Sequence, residues 1–469
     1  MADLSVIVTT GDGLNYTKNC LMLLLPQMGP RDELIIVDDA STDGTPEFLG
    51  TLQGLEPAVK VIARRQRQGQ PAAINRGLQE CTGQEILILH NDTYLLPDTV
   101  ARLREIMAAR PQLGAVSPMA VASRSGYTRI ETRPYQTLGE LSEVAREWVE
   151  GLGTWRVRWS MVLDDYCLLV RRAAIAAVRG YDIRFTPRYF AADDLSLRLW
   201  QAGWICAAAA ELVVHNEGQR GINDKERAKE WYQENKRRFT EKWGFSPTYS
   251  LNVNDLLVTR LDAREPEISV LDVGCAGGGN LMRLAQVCPK AGRYGVELNA
   301  AAAKVAATFG DVTAGDITKL DRPDWEGKFS LILCGDLIEH LADPLPVVKT
   351  LGRWLKPDTG RLVVSLPNVL NYTVWQGMLQ GEWTYRDNGV LDRTHLRFFT
   401  RQSGLALMEE AGLSAEVVDD NEFYITKEPP SEAMIEHILK TPGAAITRQE
   451  LMALQWIIEA RRPGGSDET

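Results

Sequence analysis

The stretch that decides the fold is Glu33-Leu-Ile-Ile-Val-Asp-Asp-Ala-Ser-Thr-Asp-Gly-Thr45. Its first half is a run of aliphatic, mostly β-branched residues, which is typical of a buried strand, and its second half is an acidic, turn-forming cluster. Thr45-Pro46 then begins a helix, because proline fits the first helical turn. The same order of strand and helix recurs on both sides of this stretch. It predicts a largely parallel sheet with crossover helices.

Two separate series of alternating strands and helices can be read along the chain. In the first, strands are predicted at Leu4–Thr9, Glu33–Val37, Val59–Ile62 and Glu85–His90, with helices at Tyr16–Leu25 and Pro71–Glu80. In the second, strands are predicted at Glu267–Asp272, Tyr294–Glu297, Asp311–Thr313, Phe329–Leu333 and Gly360–Ser365. The predicted fold class is therefore α/β, with two doubly wound domains.

The chain length supports the same division, since 469 residues are too many for one hydrophobic core. A polar, helix-favouring stretch from Asp224 to Glu241 separates the two series, and we place the junction near residues 250 to 265. The predicted domains are residues 1–250 and 251–430. Residues 431–469 are predicted to form a helical C-terminal tail.

Composition and charge narrow the class of protein. A net charge of −10 argues against broad nucleic-acid binding, which needs a basic surface. The seven cysteines are scattered without C-x-x-C spacing, which favours buried free thiols over zinc or disulfides. The N-terminus lacks the basic region of a secretory signal, and the longest apolar run is too short to span a bilayer. We therefore expect a soluble cytoplasmic protein, whose oligomeric state the sequence leaves open.

Polar clusters follow three strands of the first series, where ligands bind in open α/β sheets. They are Thr9, Asp38 with Asp39, and Asn91 with Asp92. Asp39 is placed to accept from an N–H of a nucleotide base, and Asp92 to hold a divalent metal that bridges a diphosphate. Taken singly, each cluster is explained as well by turn formation and helix capping.

Together these clusters resemble the family-2 glycosyltransferases of the GT-A fold over about the first 245 residues. The matching motifs are Leu34-Ile-Ile-Val-Asp-Asp-Ala-Ser-Thr-Asp-Gly-Thr45, Asn75-Arg-Gly77 and Gly83 to Thr93. The resemblance implies a nucleotide-sugar site made of Thr9, Asp38, Asp39, Asn75, Asn91 and Asp92. It also implies that Asp92 and His215 hold Mn²⁺ or Mg²⁺. Asn91 stands where the family's metal-binding motif has its first carboxylate, which leaves Asp92 as the principal ligand.

The segment from Tyr189 to Gly203 resembles the family's acceptor-side block, which supplies the general base for inverting sugar transfer. Ala191 and Ala192 occupy two positions that are often acidic, so Asp193 and Asp194 both remain candidates for the base. The upstream residues Trp148, Trp155 and Trp159 are either acceptor-stacking or core residues.

The second series opens with a strand, a glycine-rich turn and a helix, in Ile268-Ser-Val-Leu-Asp-Val-Gly-Cys-Ala-Gly-Gly-Gly-Asn280. A NAD-binding domain also has such a turn. Glu297 ends the next strand, 25 residues after Asp272 (297 − 272), where its carboxylate can accept both ribose hydroxyls. Asp316 follows a third strand, where it can accept from an adenine amino group.

This ordered set resembles the class I S-adenosylmethionine-dependent methyltransferases over roughly residues 255 to 425. Asp336-Leu-Ile-Glu-His340 and Leu351 to Pro357 extend the match beyond what a NAD-binding domain would predict. The resemblance implies that the donor contacts Asp272, Gly274, Cys275, Gly277, Glu297, Leu298, Asp316, Ile317 and Gly335. Ala276 stands where glycine is usual, with Gly277 to Gly279 keeping the turn open. His340 and His395 are candidates for a base, with packing or capping as the alternative, and Tyr372, Trp375, Trp383 and Tyr385 form an acceptor lid or a core cover.

The two resemblances predict a bifunctional enzyme. One domain would transfer a sugar from a nucleotide-sugar donor to a glycan or glycolipid acceptor, and the other would methylate a glycan hydroxyl with S-adenosylmethionine. Bacterial surface polysaccharide or glycoprotein synthesis is the expected setting, with peripheral membrane contact through a lipid-linked acceptor. Two alternatives remain open: one domain is a non-catalytic binding module, or the methyltransferase acts on lipid or protein.

Overall fold

A computed structural model describes residues 2–53, 58–121, 128–130, 132–153, 155–218, 225–260, 268–421, 431–443 and 445–463. The chain forms two compact units, Met1–Leu251 and Asn252–Thr469. Each unit contains one sheet with helices packed against it, so the predicted α/β class is confirmed. Among the residues that the structure describes, every helix is too short or too polar to cross a lipid bilayer.

The first unit is built on a mixed sheet whose described strands run in the order β3-β2-β1-β4-β9-β6-β10-β5. Its strands are β1 Leu4–Thr10, β2 Glu33–Asp38, β3 Ala58–Ala63, β4 Glu85–His90, β5 Thr93–Tyr94, β6 Leu113–Val121, β7 Arg129–Ile130, β8 Val157–Trp159, β9 Cys167–Arg171 and β10 Ile205–Asn216. Its helices are α1 Leu14–Leu24, α2 Thr45–Gly50, α3 Gln70–Leu78, α4 Thr99–Ala108, α5 Leu138–Gly151, α6 Arg172–Ala177, α7 Ala191–Gln201, α8 Lys225–Trp243 and α9 Pro247–Ser250.

The four strands predicted in this unit pair in parallel, with β1 at the centre between β2 and β4. All seven residues of β1 are buried, which is what a strand covered on both faces requires. Beyond β4 the sheet becomes mixed, because β9 pairs antiparallel with both β4 and β6. The carboxyl ends of β1, β2 and β4 therefore lie side by side.

The second unit has a sheet whose described strands run in the order β13-β12-β11-β14-β15-β17-β16. Its strands are β11 Ser269–Val273, β12 Gly292–Glu297, β13 Asp311–Ala314, β14 Leu331–Cys334, β15 Arg361–Pro367, β16 Ser414–Asn421 and β17 Gln455–Arg461. Its helices are α10 Asp255–Val258, α11 Gly279–Val287, α12 Ala300–Ala306, α13 Leu345–Trp354, α14 Tyr372–Leu379, α15 Arg401–Glu410, α16 Glu432–Leu439 and α17 Arg448–Met452.

The tail after residue 430 differs from the helical segment that the sequence predicts. It does contain α16 and α17, but β17 then inserts between β15 and β16 and pairs antiparallel with both. The apolar run of β17, Trp456-Ile-Ile458, is fully buried, because the strand lies in the interior of the sheet. This segment is therefore part of the second unit's core rather than a separate tail.

The cysteines lie where the sequence predicts. Six of the seven thiols are buried and Cys288 is half-buried, and all seven are free. They fill core space in both sheets.

Candidate active sites

Three polar clusters of the first unit meet at one edge of its sheet. The backbone N–H of Asn91 donates to the carbonyl of Thr9 at 3.3 Å, and Thr10 lies opposite Asp38 in the parallel register. The structure therefore brings together the ends of β1, β2 and β4, as the sequence predicts. An edge of this kind binds ligands in open α/β sheets.

The carboxylates that follow β2 hold the loops around this edge. Asp38 accepts from the backbone N–H of Ser41 at 3.1 Å. Asp39 accepts from Arg64 at 2.8 Å and from the backbone N–H of Gly69 at 2.7 Å, which anchors the loop that leads into α3. Asp43 accepts from two backbone N–H groups at the start of α1, Gly13 and Leu14, at 2.8 and 3.0 Å. Contact of Asp38 and Asp39 with a nucleotide base stays a prediction.

Asn91 and Asp92, at the end of β4, have different surroundings. The Asn91 amide donates to the hydroxyls of Thr10 and Thr17 at 3.1 and 3.0 Å, so it stabilises the turn. The Asp92 side chain is half-buried, and its carboxylate accepts from the Asn216 amide at 3.2 Å. Burial raises its pKa, and the positive charge of Arg188 only partly opposes this effect. A partly desolvated carboxylate with so little compensation suits a divalent cation, and the metal role of Asp92 stays a prediction.

His215 lies on β10, next to Asn216 and opposite Tyr94 on β5. Its ring stacks on Tyr94 with centroids 5.4 Å apart, and its Nε2 lies 3.5 Å from a carboxylate oxygen of Glu217. The Tyr135 hydroxyl contacts its Nδ1. The contact between Asn216 and Asp92 brings this strand to the predicted metal ligand, and the metal role of His215 stays a prediction.

The two candidate bases, Asp193 and Asp194, have different surroundings, although both lie in the first turn of α7. Asp194 is fully buried and ion-paired: its carboxylate binds Arg198 at 2.8 Å, Lys242, and the indole N–H of Trp243 at 3.0 Å. These bonds satisfy both of its oxygens. Asp194 therefore has a structural role.

Asp193 carries none of these ion pairs. Burial, followed by the negative charge of Asp164 and of its other carboxylate neighbours, raises the pKa of Asp193 to about 7. A carboxylate with a pKa near neutrality is suited to take a proton at physiological pH. The geometry thus separates two residues between which the sequence does not choose.

The residues around Asp193 are not among the site residues that the sequence predicts. The Asp165 side chain is 18% exposed, desolvation raises its pKa to about 6, and its Oδ1 lies 3.3 Å from Nε2 of His90. Burial also lowers the pKa of His90 to about 4, so this imidazole is neutral at pH 7. The signal in the sequence was Asp164-Asp165, directly before β9, since β9 pairs with β4 and carries these carboxylates to the same edge.

Other sequence candidates in this unit have structural partners. The Asn75 amide donates to the carbonyl of Tyr181 at 2.7 Å and accepts from its backbone N–H at 2.8 Å. Trp148 donates its indole N–H to the carbonyl of Ala210 at 2.8 Å, and Trp159 packs on Trp200. These contacts indicate a scaffold role for Asn75 and a core role for both tryptophans, while 37% of Trp155 is exposed.

The glycine-rich turn of the second unit connects β11 to α11. Gly274 has φ +76° and Gly278 has φ +91°, while Ala276 adopts a left-handed φ of +48°. A Cβ on Gly278 would lie 2.7 Å from the backbone of Ala306, so only glycine fits there. The methyl group of Ala276 is accommodated, at the cost of a conformation that is unfavourable for residues with a Cβ.

Acidic residues surround this turn. Asp272, at the end of β11, is buried, and one of its oxygens has no hydrogen-bond partner among the described residues. Burial raises its pKa to about 7. Glu297, at the end of β12, accepts from the backbone N–H groups of Ala276 and Asn299 at 2.9 and 2.8 Å. An unpaired buried carboxyl beside a tight turn fits a donor that brings N–H or O–H groups.

The remaining predicted donor contacts differ in exposure. Asp316 accepts from the backbone N–H of Thr318 at 3.0 Å and pairs with Lys319, and these hydrogen bonds lower its pKa to about 2. Leu298 is 73% exposed and Cys275 is buried. Gly315, just before Asp316, donates to the carbonyl of Glu297 at 2.9 Å, so the two acidic positions are close in the structure. Contact of Asp316 with adenine stays a prediction.

A short segment before the sheet covers the glycine turn, which the sequence did not predict. A Cβ on Gly279 would lie 2.0 Å from the carbonyl oxygen of Asn252, and one on Gly335 would lie 2.7 Å from Leu257. The backbone N–H of Asn254 donates to Asn280 at 2.8 Å. Residues 252–258, including α10, therefore lie on the two glycine positions that flank the predicted donor site.

The two histidines proposed as bases lie together. The ring centroids of His340 and His395 are 4.8 Å apart, and Phe398 lies 6.5 Å from the His395 ring. Trp383 packs edge-on against Phe398 and is 44% exposed, whereas Tyr372 is buried and Trp375 packs on the cluster around Ile435. Of the four predicted lid residues, Trp383 is thus in contact with the aromatic group beside the histidines.

Comparison with known proteins finds two family models that match different parts of the chain. Residues 5–176 match the model of glycosyl transferase family 2, and residues 248–417 match a methyltransferase domain. The chain is 26% identical over 240 residues to the N-acetylglucosaminyl-diphospho-decaprenol L-rhamnosyltransferase of Mycobacterium tuberculosis, which covers 46% of this chain and 76% of that one. It is 28% identical over 124 residues to the succinoglycan biosynthesis protein ExoO of Rhizobium meliloti, which covers 26% of this chain and 35% of that one.

Among solved structures, the chain is similar to the mannosyltransferase PcManGT of Pyrobaculum calidifontis in complex with GDP-Man and Mn²⁺. The identity is 19%, the coverage is 52% of this chain and 66% of that one, and the TM-score is 0.37. The chain spans less than half the length of several curated relatives that it matches, with 42%, 35% and 30% covered in three of them. The chain therefore joins a domain of glycosyl transferase family 2 to a methyltransferase domain.

Proposed function

We propose that the chain transfers a sugar from a nucleotide-sugar donor to a glycan acceptor with inversion, and methylates a glycan hydroxyl with S-adenosylmethionine. Bacterial surface polysaccharide or glycoprotein synthesis is the proposed setting, supported by relatives that are named for polysaccharide synthesis. The acceptor is a glycan or a glycolipid, and a lipid-linked acceptor would bring the protein to a membrane surface. The observation that carries the sugar-transfer proposal is the position of Asp193 beside three other carboxylates, Asp164, Asp165 and Asp194, which together with burial raise its pKa to about 7.

In sugar transfer, Asp193 takes the proton of the acceptor hydroxyl as its oxygen bonds to the anomeric carbon and the bond to the diphosphate breaks. Asp194 fixes the start of α7 through Arg198 and Lys242, and so orients Asp193. Asp92, with His215, would hold Mn²⁺ or Mg²⁺. When bound, this cation would supply positive charge to the departing diphosphate. His90, 3.3 Å from Asp165 and near Asp92, is neutral and adds no positive charge there.

In methyl transfer, the chain mainly positions two reactants, because the sulfonium already activates the methyl group. Glu297 would accept from the ribose hydroxyls, and the unpaired oxygen of Asp272 would accept from the donor's amino-acid part. The turn at Gly274 lets the backbone approach the donor. His340, His395 and Trp383 lie on the acceptor side.

The proposal is tested by separating the two activities. Asp92→Asn should abolish sugar transfer and leave S-adenosylmethionine binding unchanged, whereas Glu297→Gln should weaken S-adenosylmethionine binding and leave sugar transfer unchanged. Glu47→Gln, an exposed surface change in the first unit, is the matched control. Loss of both activities from one substitution in a folded protein would contradict two independent sites. Radiolabelled methyl incorporation that does not depend on prior glycosylation of the acceptor would contradict a shared glycan.

A second candidate function for the first unit is donor binding without turnover. The observation in its favour is Asn91, whose amide is committed to Thr10 and Thr17 where a carboxylate is usual. Calorimetry with a panel of nucleotide sugars and Mn²⁺, followed by an assay for nucleotide release, separates the two. Binding without release in the presence of acceptor would support the second candidate.

A further inference from the structure

Glu339 is a buried acidic side chain of the second unit whose negative charge no neighbouring described group neutralises. It lies in the turn Ile338–His340 that follows β14, and only 1% of its surface is exposed. Neither carboxylate oxygen has a hydrogen-bond partner among the described residues. The carboxylates of Asp336 and Asp392 are near it and add negative charge. An uncompensated buried carboxylate is costly, so a proton or a cation must neutralise it.

Two imidazoles lie beside this carboxylate and offer the complementary ligands. One ligand atom each from Glu339, His340 and His395 lie within 4.8 Å of one another. Nε2 of His395 is 4.0 Å from the nearer Glu339 oxygen, which is too long for a hydrogen bond. Three ligand atoms that converge without bonding to each other leave room for an ion between them.

Hydrogen bonds to the backbone fix the protonation of both rings. Nδ1 of His340 lies 3.1 Å from the carbonyl oxygen of Thr394, and Nδ1 of His395 lies 2.9 Å from that of Val390. A carbonyl oxygen only accepts, so each Nδ1 carries the proton and each Nε2 has the free electron pair. Metal-binding histidines are usually held in this way by their other nitrogen.

The backbone holds the cluster in shape. The N–H groups of Leu396 and Arg397 donate to the carbonyl of Glu339 at 2.8 and 3.0 Å, which clamps the loop with His395 onto the turn with His340. Leu337, two residues before Glu339, lies against the glycine turn, 3.5 Å from where a Cβ on Gly274 would be. The cluster is therefore preorganised and lies beside the predicted methyl donor.

We propose that Glu339, His340 and His395 bind a divalent cation such as Zn²⁺, Mn²⁺ or Co²⁺, which in turn binds the hydroxyl that receives the methyl group. One carboxylate and two imidazoles with open positions are the ligands of a catalytic rather than a structural metal site. The role in catalysis rests on the proposed methyltransferase function, whereas the metal site itself does not.

The proposed methyl transfer does not need a base from the protein. The bound hydroxyl is acidified and loses its proton to water. Its oxygen then bonds to the methyl carbon as the carbon–sulfur bond breaks, and the sulfur keeps the electron pair. The products are a methyl ether and S-adenosylhomocysteine. His340 and His395 are then metal ligands instead of bases.

The test is a Co²⁺ titration of the chelator-treated full chain, followed by visible absorption and calorimetry. Wild type should develop d–d absorption bands that saturate at one equivalent for this site, and Asp92→Asn should keep them. Glu339→Gln and His395→Gln should each lose this equivalent, or weaken it roughly 10- to 100-fold or more. The matched controls are Glu436→Gln and His437→Gln, both exposed on α16. S-adenosylmethionine binding, measured in parallel, should persist in all variants and shows that they are folded.

Unchanged Co²⁺ stoichiometry and spectra in both Glu339→Gln and His395→Gln would overturn the metal site. Loss of the bands in these two variants, with the controls unaffected, supports it. If the bands behave as expected but no acceptor is methylated, the metal site stands and the proposed methyltransferase function fails. The two failures are therefore distinguishable.

Discussion

Replacing Asp193 by asparagine should make the first unit more stable and inactive at the same time. Burial and the charge of Asp164 raise the pKa of Asp193 from 3.8 to about 7. Each pKa unit corresponds to about 1.4 kcal/mol, so holding Asp193 charged in the folded protein costs up to about 4 kcal/mol. Asparagine has the same shape and removes this cost.

The stability difference between wild type and Asp193→Asn should depend on pH. Below pH 3.8 the carboxyl is protonated in both the folded and unfolded states, so it makes no difference to stability. Between pH 3.8 and 7 the unfolded state releases the proton first, and the wild type progressively loses unfolding free energy. Above pH 7 the loss is complete. Urea unfolding of both proteins should therefore show an advantage for Asp193→Asn that grows from pH 5 to pH 8, up to about 4 kcal/mol.

The sugar-transfer activity of Asp193→Asn should be lower than that of the wild type, although the variant is more stable. Removing a general base lowers kcat by roughly 10²- to 10⁴-fold, and the wild-type kcat/KM should fall as the pH drops below about 7. Release of nucleoside diphosphate from the donor, measured from pH 5.5 to 8.5, tests both. The role assigned to Asp193 is refuted if Asp193→Asn is less stable than the wild type at pH 8. It is also refuted if the variant keeps the wild-type kcat and the same fall of kcat/KM below pH 7.

Three further substitutions test other parts of the structure. Asp194→Asn should lower the free energy of unfolding by about 1.5–3 kcal/mol in urea, because it removes the charged acceptor of Arg198 and Trp243, whereas Lys242 keeps Asp182 as a partner; an unchanged free energy of unfolding would mean that solvent replaces Asp194 as the partner of Arg198. Glu297→Gln should weaken S-adenosylmethionine binding roughly 10- to 150-fold, since one charge-assisted acceptor is worth about 1.5–3 kcal/mol, and calorimetry with Asp92→Asn as control measures it; equal affinities would remove Glu297 from the donor site. Ala276→Gly should relieve the left-handed φ of +48° and raise the unfolding free energy by about 1 kcal/mol, read as a higher Tm; a lower Tm would show that the alanine methyl packs favourably.

The strands of both sheets could be predicted because they follow local rules. The buried run Leu34-Ile-Ile-Val37 and its equivalents are apolar and bounded by turns, and parallel pairing follows from the helices between them. β17 was not predicted, because a short apolar run near the end of a chain suits a helix as well as a strand. Only its two neighbours, β15 and β16, decide the outcome, and neither is close to it in sequence.

For the candidate sites too, the sequence predicts the features that depend on local residues and misses those that depend on distant ones. The sequence places Thr9, Asp38 and Asp92 at one edge, because strand ends are local features. It does not separate Asp193 from Asp194, since the difference arises from Lys242 and Trp243 about 50 residues away. The cluster of Glu339, His340 and His395 was likewise missed as a metal site. Its signal is an adjacent Glu-His pair, and the third ligand is brought in by a distant loop.

The position of β17 has a consequence for the order in which the chain is made. Translation completes every described strand of the first sheet once Asn216 has emerged, but β15 has no partner on one side until Gln455 to Arg461 are synthesised. An open, apolar strand edge is a template for pairing with other chains. Shortening the gene so that it ends before Gln455 would therefore produce a protein that aggregates, rather than a methyltransferase that has merely lost its end.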